Sequence, residues 1–297
     1  MNNKQFSGVF SLLLTPFEGN KSIDWKAYER YLAWQIEMKP DGLFAVCGTS
    51  EMKWLTFEER AELARRAVKR AGSLPVVATA NLDPELDRHP DELHKLADTG
   101  VAGVVLVPPD GLGEDQDRLR EYFARIIEDA PCPTLIYEWP AVTPHLVDAH
   151  VYGDLVKRHG LAGIKDTTCT MEGIGAKIER TGNAAVFQAN APFMLESIRK
   201  GARGIMAIVS AAAADLVIRF YRAASAGSDE AAALHESLVL LDCALGRGGA
   251  YPATAKHLAS LRGVTMGLAC RAPANAAPEV LKAIEVWLAH ARRLEVV

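Results

Sequence analysis

Leu161-Ala-Gly-Ile-Lys165-Asp-Thr-Thr168 is a short apolar run that stops at a lysine and an aspartate. Its residues do not alternate apolar with polar. That pattern marks a strand buried on both faces, as in a parallel sheet. The strand is read as Ala162–Lys165, and seven other runs share its form: Val9–Leu14, Gly42–Cys47, Pro75–Thr79, Gly103–Val107, Thr134–Tyr137, Ala185–Gln188 and Gly204–Ile208.

Between the runs lie stretches with helix start signals. Asp24 opens Trp25–Met38, and Thr56 with Glu59 three positions later makes a capping box for Thr56–Ala71. Pro90, followed by Asp91 and Glu92, suits a first helical turn, and Thr143-Pro144 predicts the same before Leu146–Arg158. Asn190 is placed to cap Ala191–Lys200, and Gly201 to stop it. Strand and helix alternate about eight times, at roughly 25–30 residues per unit, the arithmetic of a (β/α)8 TIM barrel. A doubly wound sheet is the rival, but no Gly-x-Gly-x-x-Gly follows the first strand. After Ser210 the chain turns Ala-rich and helical, with breaks near Gly227, Gly246–Gly249 and Ala272–Pro278. The expectation is a barrel over residues 1–225, with 226–297 as a C-terminal helical appendage of the same domain.

Composition narrows the function. Of 297 residues, 33 are Lys or Arg and 37 are Asp or Glu, a net charge of −4. There is no basic excess of the kind a nucleic-acid binder carries. No apolar run reaches the roughly 18 residues of a membrane span. The start, Met1–Ser7, is short and polar and does not read as a signal peptide. Five scattered cysteines form no Cys-x-x-Cys pair, so reduced thiols in a cytoplasm are expected rather than a disulfide framework or zinc site.

Barrel chemistry gathers where strands end. Lys165 ends its strand, and an amine there loses hydration, which favours the neutral form. A neutral amine can attack a ketone and form a Schiff base. The competing reading is a lysine that reaches the rim or pairs with Asp166. Tyr137 ends the preceding strand, 28 residues earlier, and its phenol could move a proton beside the amine or simply plug the mouth. Gly48-Thr49-Ser50 offers amides and hydroxyls suited to a carboxylate, or a plain Ser/Thr turn. Among eight histidines there is no His-Glu-x-x-His, which leaves a metalloenzyme poorly supported and no metal expected. His89 and His94 read as solvated. Glu51 and Glu138 could be imagined as a glycosidase pair, but Glu51 sits near a helix start and suits a structural role.

Taken together, Gly-Ile-Lys-Asp-Thr-Thr at 163–168, Tyr137 with Pro140, Cys-Gly-Thr-Ser-Glu at 47–51 with Leu55, and Gly201-Ala-Arg-Gly-Ile-Met206 resemble the dihydrodipicolinate synthase / N-acetylneuraminate lyase family. The similarity runs from Ser11–Pro16 to Pro252 and Lys256. It implies a pyruvate-handling class I aldolase or lyase, without cofactor, acting on a 2-oxo acid and an aldehyde as a homo-oligomer, tetramer or dimer. By that resemblance Lys165 is the Schiff-base lysine and Tyr137 the proton shuttle. Thr49 and Ser50, beside Gly48, hold the carboxylate through their amides, and Met206 lends its backbone carbonyl.

The chain also departs from the family pattern. Gly-Thr/Ser-Thr-Gly-Glu becomes Cys47-Gly48-Thr49-Ser50-Glu51, so the first hydroxyl is missing. Tyr-Asn-x-Pro becomes Tyr137-Glu138-Trp139-Pro140. Val142 stands where the synthases bind substrate with arginine, and Pro108-Pro109 stands where they carry a tyrosine pair. These departures argue against dihydrodipicolinate synthesis proper. They leave an aldolase making or breaking a C3–C4 bond, with a 2-keto-3-deoxy sugar acid dehydratase or a non-catalytic 2-oxo acid sensor as alternatives. Glu138, an acid in place of an amide, is expected to bind the second substrate or to replace part of the relay, unless it is a solvated rim carboxylate. Trp139 either walls the pocket or packs at the mouth.

Overall fold

Eight strands follow one another around a closed, all-parallel barrel: β1 (Gly8–Leu12), β2 (Gly42–Val46), β3 (Val76–Thr79), β4 (Gly103–Leu106), β5 (Thr134–Tyr137), β6 (Gly163–Asp166), β7 (Ala185–Gln188) and β8 (Gly204–Ile205). The computed structural model describes residues 6–274 and 276–297. Residues 1–5 of the polar start, and residue 275 in the last expected break, lie outside that set. The eight apolar runs become the eight strands, with ends that move by a few residues.

Every strand residue is buried, because side chains fill one face and a ring of helices covers the other. Inside, large groups sit against small ones. Phe10 pairs in register with Gly42, and Phe187 with Gly204. A Cβ at residue 42 would lie 2.3 Å from the Phe10 ring, and one at residue 204 would lie 2.5 Å from the Phe187 ring. The two phenyls meet edge to face at 5.3 Å. Each contributes about 1.5–3 kcal/mol over an exposed position.

The helices obey most of their start signals. Asp24 caps α1 (Trp25–Glu37) by accepting from the Ala27 amide. Thr56 and Glu59 form the reciprocal capping box of α2 (Phe57–Ala71). α3 (His89–Ala97) has Pro90 in its first turn, and α4 (Gln116–Asp129) is capped by Asp115. α5 (Ala149–His159) starts later than Thr143-Pro144 predicts. That pair is held in the preceding loop, where the Thr143 amide donates to Asp110 and its carbonyl accepts from Gly111. α6 (Met171–Ile178) and α7 (Met194–Lys200) follow; Asn190 precedes a short 3-10 turn rather than capping α7 with its side chain.

Beyond α8 (Ser210–Ser225) come α9 (Glu230–Gly246), α10 (Ala253–Leu261) and α11 (Pro278–Arg293). Their apolar residues, Leu238, Leu258 and Trp287 among them, join the same hydrophobic cluster as the strands. The joint is electrostatic as well. Glu51 closes the turn after β2 with φ at 63°, an uncomfortable value for a residue with a side chain. Its buried carboxylate accepts from Lys256 on α10 at 2.8 Å and from the amides of Arg271 and Ala272 at 2.6 and 2.8 Å. Lys256→Met would strand that carboxylate without its cation. The expected loss is about 3–5 kcal/mol, measured by urea denaturation.

Candidate active site

Side chains alternate across a strand, and on β6 that alternation separates two charges. Lys165 points into the barrel mouth, and Asp166 points outward to α6. The two strand ends that matter lie side by side, because Tyr137 pairs in register with Lys165. The Lys165 Nζ stands 4.0 Å from the centre of the Tyr137 ring and 5.7 Å from that of Phe44. Lys165 is 4% exposed, and its amine forms no hydrogen bond or ion pair among the described residues. Burial pushes its pKa down to about 8, against a weaker opposing pull from Cys47.

The competing pairing with Asp166 is overturned. The Asp166 Oδ2 accepts from Lys177 at 2.8 Å and from the Thr168 hydroxyl at 2.8 Å, on the far side of the strand. The Tyr137 phenol is 6% exposed, and burial raises its pKa far above the ordinary range, so it holds its proton. Its hydroxyl has no hydrogen-bond partner among the described residues.

The turn after β2 presents its backbone, not its hydroxyls. Ser50 is spent on structure. Its Oγ lies 2.9 Å from the carbonyls of Leu13 and Ala45 and accepts from the Cys47 amide, while its own amide donates to the Cys47 carbonyl at 3.1 Å. It therefore has no free donor for a carboxylate, contrary to expectation. Thr49 turns its hydroxyl to Tyr251, 2.7 Å away. The amides of Gly48 and Thr49 make no hydrogen bond among the described residues, and neither does the carbonyl of buried Met206, whose own amide donates to Gln188.

Glu138 is neither at the rim nor toward a substrate. It is fully buried behind β5. One oxygen accepts from the Val147 amide at 2.8 Å and from Lys177 at 2.5 Å, and the other from the Thr167 amide at 2.9 Å. Its neighbour Tyr137 faces inward, so residue 138 must face outward. Burial raises the Glu138 pKa. The same burial would lower that of Lys177, but the two carboxylates outweigh it, and the ammonium is held charged. His89 also proves buried, bonded to Tyr122 and to the Asp83 carbonyl.

Trp139 shares the inward side with Tyr137. The edge of its five-membered ring faces Gly48, and a Cβ on residue 48 would lie 3.3 Å from both the indole Nε1 and the Tyr137 hydroxyl. On its other side Trp139 lines a cavity of about 610 Å³ together with Val142, Pro109 and Leu82. Lys53, Arg60, Asp83 and Arg118 bring charge to that cavity, which lies beside the Lys165–Tyr137 pair rather than over it.

Sequence reading did not find Lys177 or Tyr251. Lys177 carried a faint signal, as a lysine on the otherwise apolar run Ile174–Ile178 one helix after two carboxylates. Tyr251 carried none, for it reaches Thr49 from 202 positions away.

A model of the dihydrodipicolinate synthetase family matches residues 5–287. The chain belongs to this family. The 4-hydroxy-tetrahydrodipicolinate synthase of Oceanobacillus iheyensis is 31% identical over 208 residues, covering 69% of this chain and 70% of that protein. Among solved structures, the first monomeric dihydrodipicolinate synthase variant superposes with a TM-score of 0.91 at 21% identity, covering 98% of this chain and 99% of that one. YagE, an Escherichia coli K12 prophage protein of the family in complex with pyruvate, gives 0.88 at 19% identity over 98% and 99%. At such identities the structural likeness speaks for the fold.

Lys165 makes stability depend on pH. Its folded pKa of about 8 lies below the ordinary 10.5, so between those values the unfolded chain holds more protons and stability rises with pH. Lys165→Met should be the more stable protein below pH 8, by about 2–4 kcal/mol, and the gap should close toward pH 10.5 in denaturation curves taken across that range.

Proposed function

We propose that this family member is a Schiff-base-forming lyase or aldolase that makes or breaks the C3–C4 bond of a 2-oxo acid such as pyruvate. The supporting observation is the Lys165 amine, buried without a counter-ion and touching the face of Tyr137. An amine with a pKa of about 8 is neutral in an appreciable fraction at neutral pH, and the neutral form is the nucleophile.

The free amides of Gly48 and Thr49 suit the oxo-acid carboxylate, which would fix C2 near the amine and lower the orientational cost of attack. Addition of the Lys165 nitrogen to C2, then loss of water, gives an iminium. The iminium withdraws electrons from C3, so the C3–C4 bond can break to an enamine and an aldehyde, or form in reverse. Tyr137, protonated and unpartnered, carries protons between the nitrogen, the departing oxygen and the aldehyde oxygen. The free Met206 carbonyl is available to the imine N–H. Dihydrodipicolinate synthesis itself draws no support from the site, since Val142 fills the cavity position two beyond Pro140 where those synthases would carry their substrate-binding arginine. The same reading carries a dimer or tetramer, in keeping with Leu240 and Val286 left exposed on α9 and α11, and a cytoplasmic setting, in keeping with five unpaired thiols.

Borohydride added with pyruvate should fix one reduced adduct on Lys165, located by peptide mass. No adduct on the parent protein, or an adduct that survives Lys165→Ala, would sink the reading. The trapping rate should rise with pH through a midpoint near 8, as the amine loses its proton, and level off above it. Tyr137→Phe should still bind pyruvate but trap it on the order of 10²–10⁴ times more slowly.

A further inference from the structure

In the turn after β2, Thr49 is held differently from its neighbours. The Ser50 side chain is bonded to the carbonyls of Leu13 and Ala45, and the Glu51 carboxylate to Lys256 and two amides. Backbone carbonyls tie the turn as well: that of Gly48 accepts from the Glu51 amide at 3.0 Å, and that of Ser50 from the Thr15 hydroxyl at 2.8 Å. Thr49, 3% exposed, has a single side-chain hydrogen bond among the described residues, the 2.7 Å contact of its Oγ1 with the Tyr251 hydroxyl. Tyr251 likewise bonds its hydroxyl to no other group among the described residues. Next to Thr49 stands Gly48, the loosest joint of the turn, because glycine restricts its own backbone least. The peptide between the two carries the free Thr49 amide.

We infer that Tyr251 is a positioning residue for the oxo-acid carboxylate: it reaches across from just before α10 and, through its bond to Thr49, keeps the amides of Gly48 and Thr49 aimed at the anion. This rests on the Schiff-base reading above, which puts the carboxylate on those amides. Without the bond, a threonine joined to a glycine has no side-chain tie, and the amide plane between them is free to turn. Holding that plane before the oxo acid arrives lowers the ordering cost that binding has to meet.

The bond holds through the pH range in which the amine titrates. Burial raises the Tyr251 pKa well above its ordinary value and outweighs the opposing pull of the Thr49 bond. The titratable groups that act on it, Cys47, Tyr31 and Tyr137, push the same way as burial, so the phenol keeps its proton. A loss at Tyr251 is therefore separable from a loss at Lys165, whose amine titrates near 8. Tyr251 touches no reacting atom in this arrangement. Its effect falls on capture of the oxo acid and not on the steps at C2, so it is read in the concentration of pyruvate needed rather than in the rate at saturation.

The test is borohydride trapping over a range of pyruvate concentrations, read as a half-saturating concentration and a plateau rate. Tyr251→Phe removes one oxygen. It should raise half-saturation roughly three- to tenfold, the effect of one neutral hydrogen bond, with the plateau rate within about twofold of the parent. The pH midpoint should stay near 8. Thr49→Val should match Tyr251→Phe, and Thr49→Ser, which keeps the hydroxyl, should stay near the parent. Because both act through one bond, the double variant Tyr251→Phe with Thr49→Val should lie within about twofold of either single. In the unaltered protein, pyruvate alone should slow hydrogen exchange at the amides of Thr254 and Lys256, in the first turn of α10, since coupling between two sites is reciprocal. That readout stands even if a variant folds poorly. Parent half-saturation in Tyr251→Phe would overturn the inference, and so would a loss confined to the plateau rate. A double variant whose loss is the product of the two singles, or no protection of those amides by pyruvate, would do the same. A parent protein that yields no adduct at any pyruvate concentration would instead strike the Schiff-base reading itself, and is thereby told apart from a failure at Tyr251.

Discussion

The site depends on keeping one positive charge from finding a negative one. Lys165 and Asp166 are chain neighbours, and in a flexible loop they would pair. On β6 the two-residue period sends them to opposite faces, and Lys177 occupies Asp166 from behind. The amine is left among Phe44, Tyr137 and backbone, where a full charge is poorly solvated. Its lowered pKa is a direct result, and the protein carries that cost in stability at neutral pH.

Glu138 belongs to the same arrangement. An acid at this position would be a hazard on the inner face, where it would recharge the amine. Facing outward, it joins Asp166 around Lys177 and ties β5, β6 and α6 into one charged joint. That joint holds Tyr137 and Trp139, which flank Glu138, on the inner side. Chemistry on one face is held in place by charge pairing on the other.

Much of this was legible in the sequence. The eight apolar runs carried the barrel, because a strand buried on both faces has no polar positions to blur the pattern. Lys165 and Tyr137 stood out because each ends such a run. Less visible was which face a residue takes after the strand has ended. Glu138 read as a rim acid because one residue of alternation decides between mouth and helix layer. Ser50 read as a ligand because its type fits, although three short contacts to Leu13, Ala45 and Cys47 already occupy it. The partners Tyr251 and Lys256 are hidden for a different reason, since contacts made across two hundred positions leave no local pattern.

Those distant partners bear on how the molecule comes into being. Thr49 and Glu51 emerge early in synthesis, yet the groups that steady them, Tyr251, Lys256 and the amides after Cys270, are made near its close. A nascent polypeptide with all eight strands already outside the ribosome still has an unbraced turn at its second strand. The mouth is therefore completed late, when the final helices dock, and a chain cut short after α8 would leave the turn at its second strand without these partners.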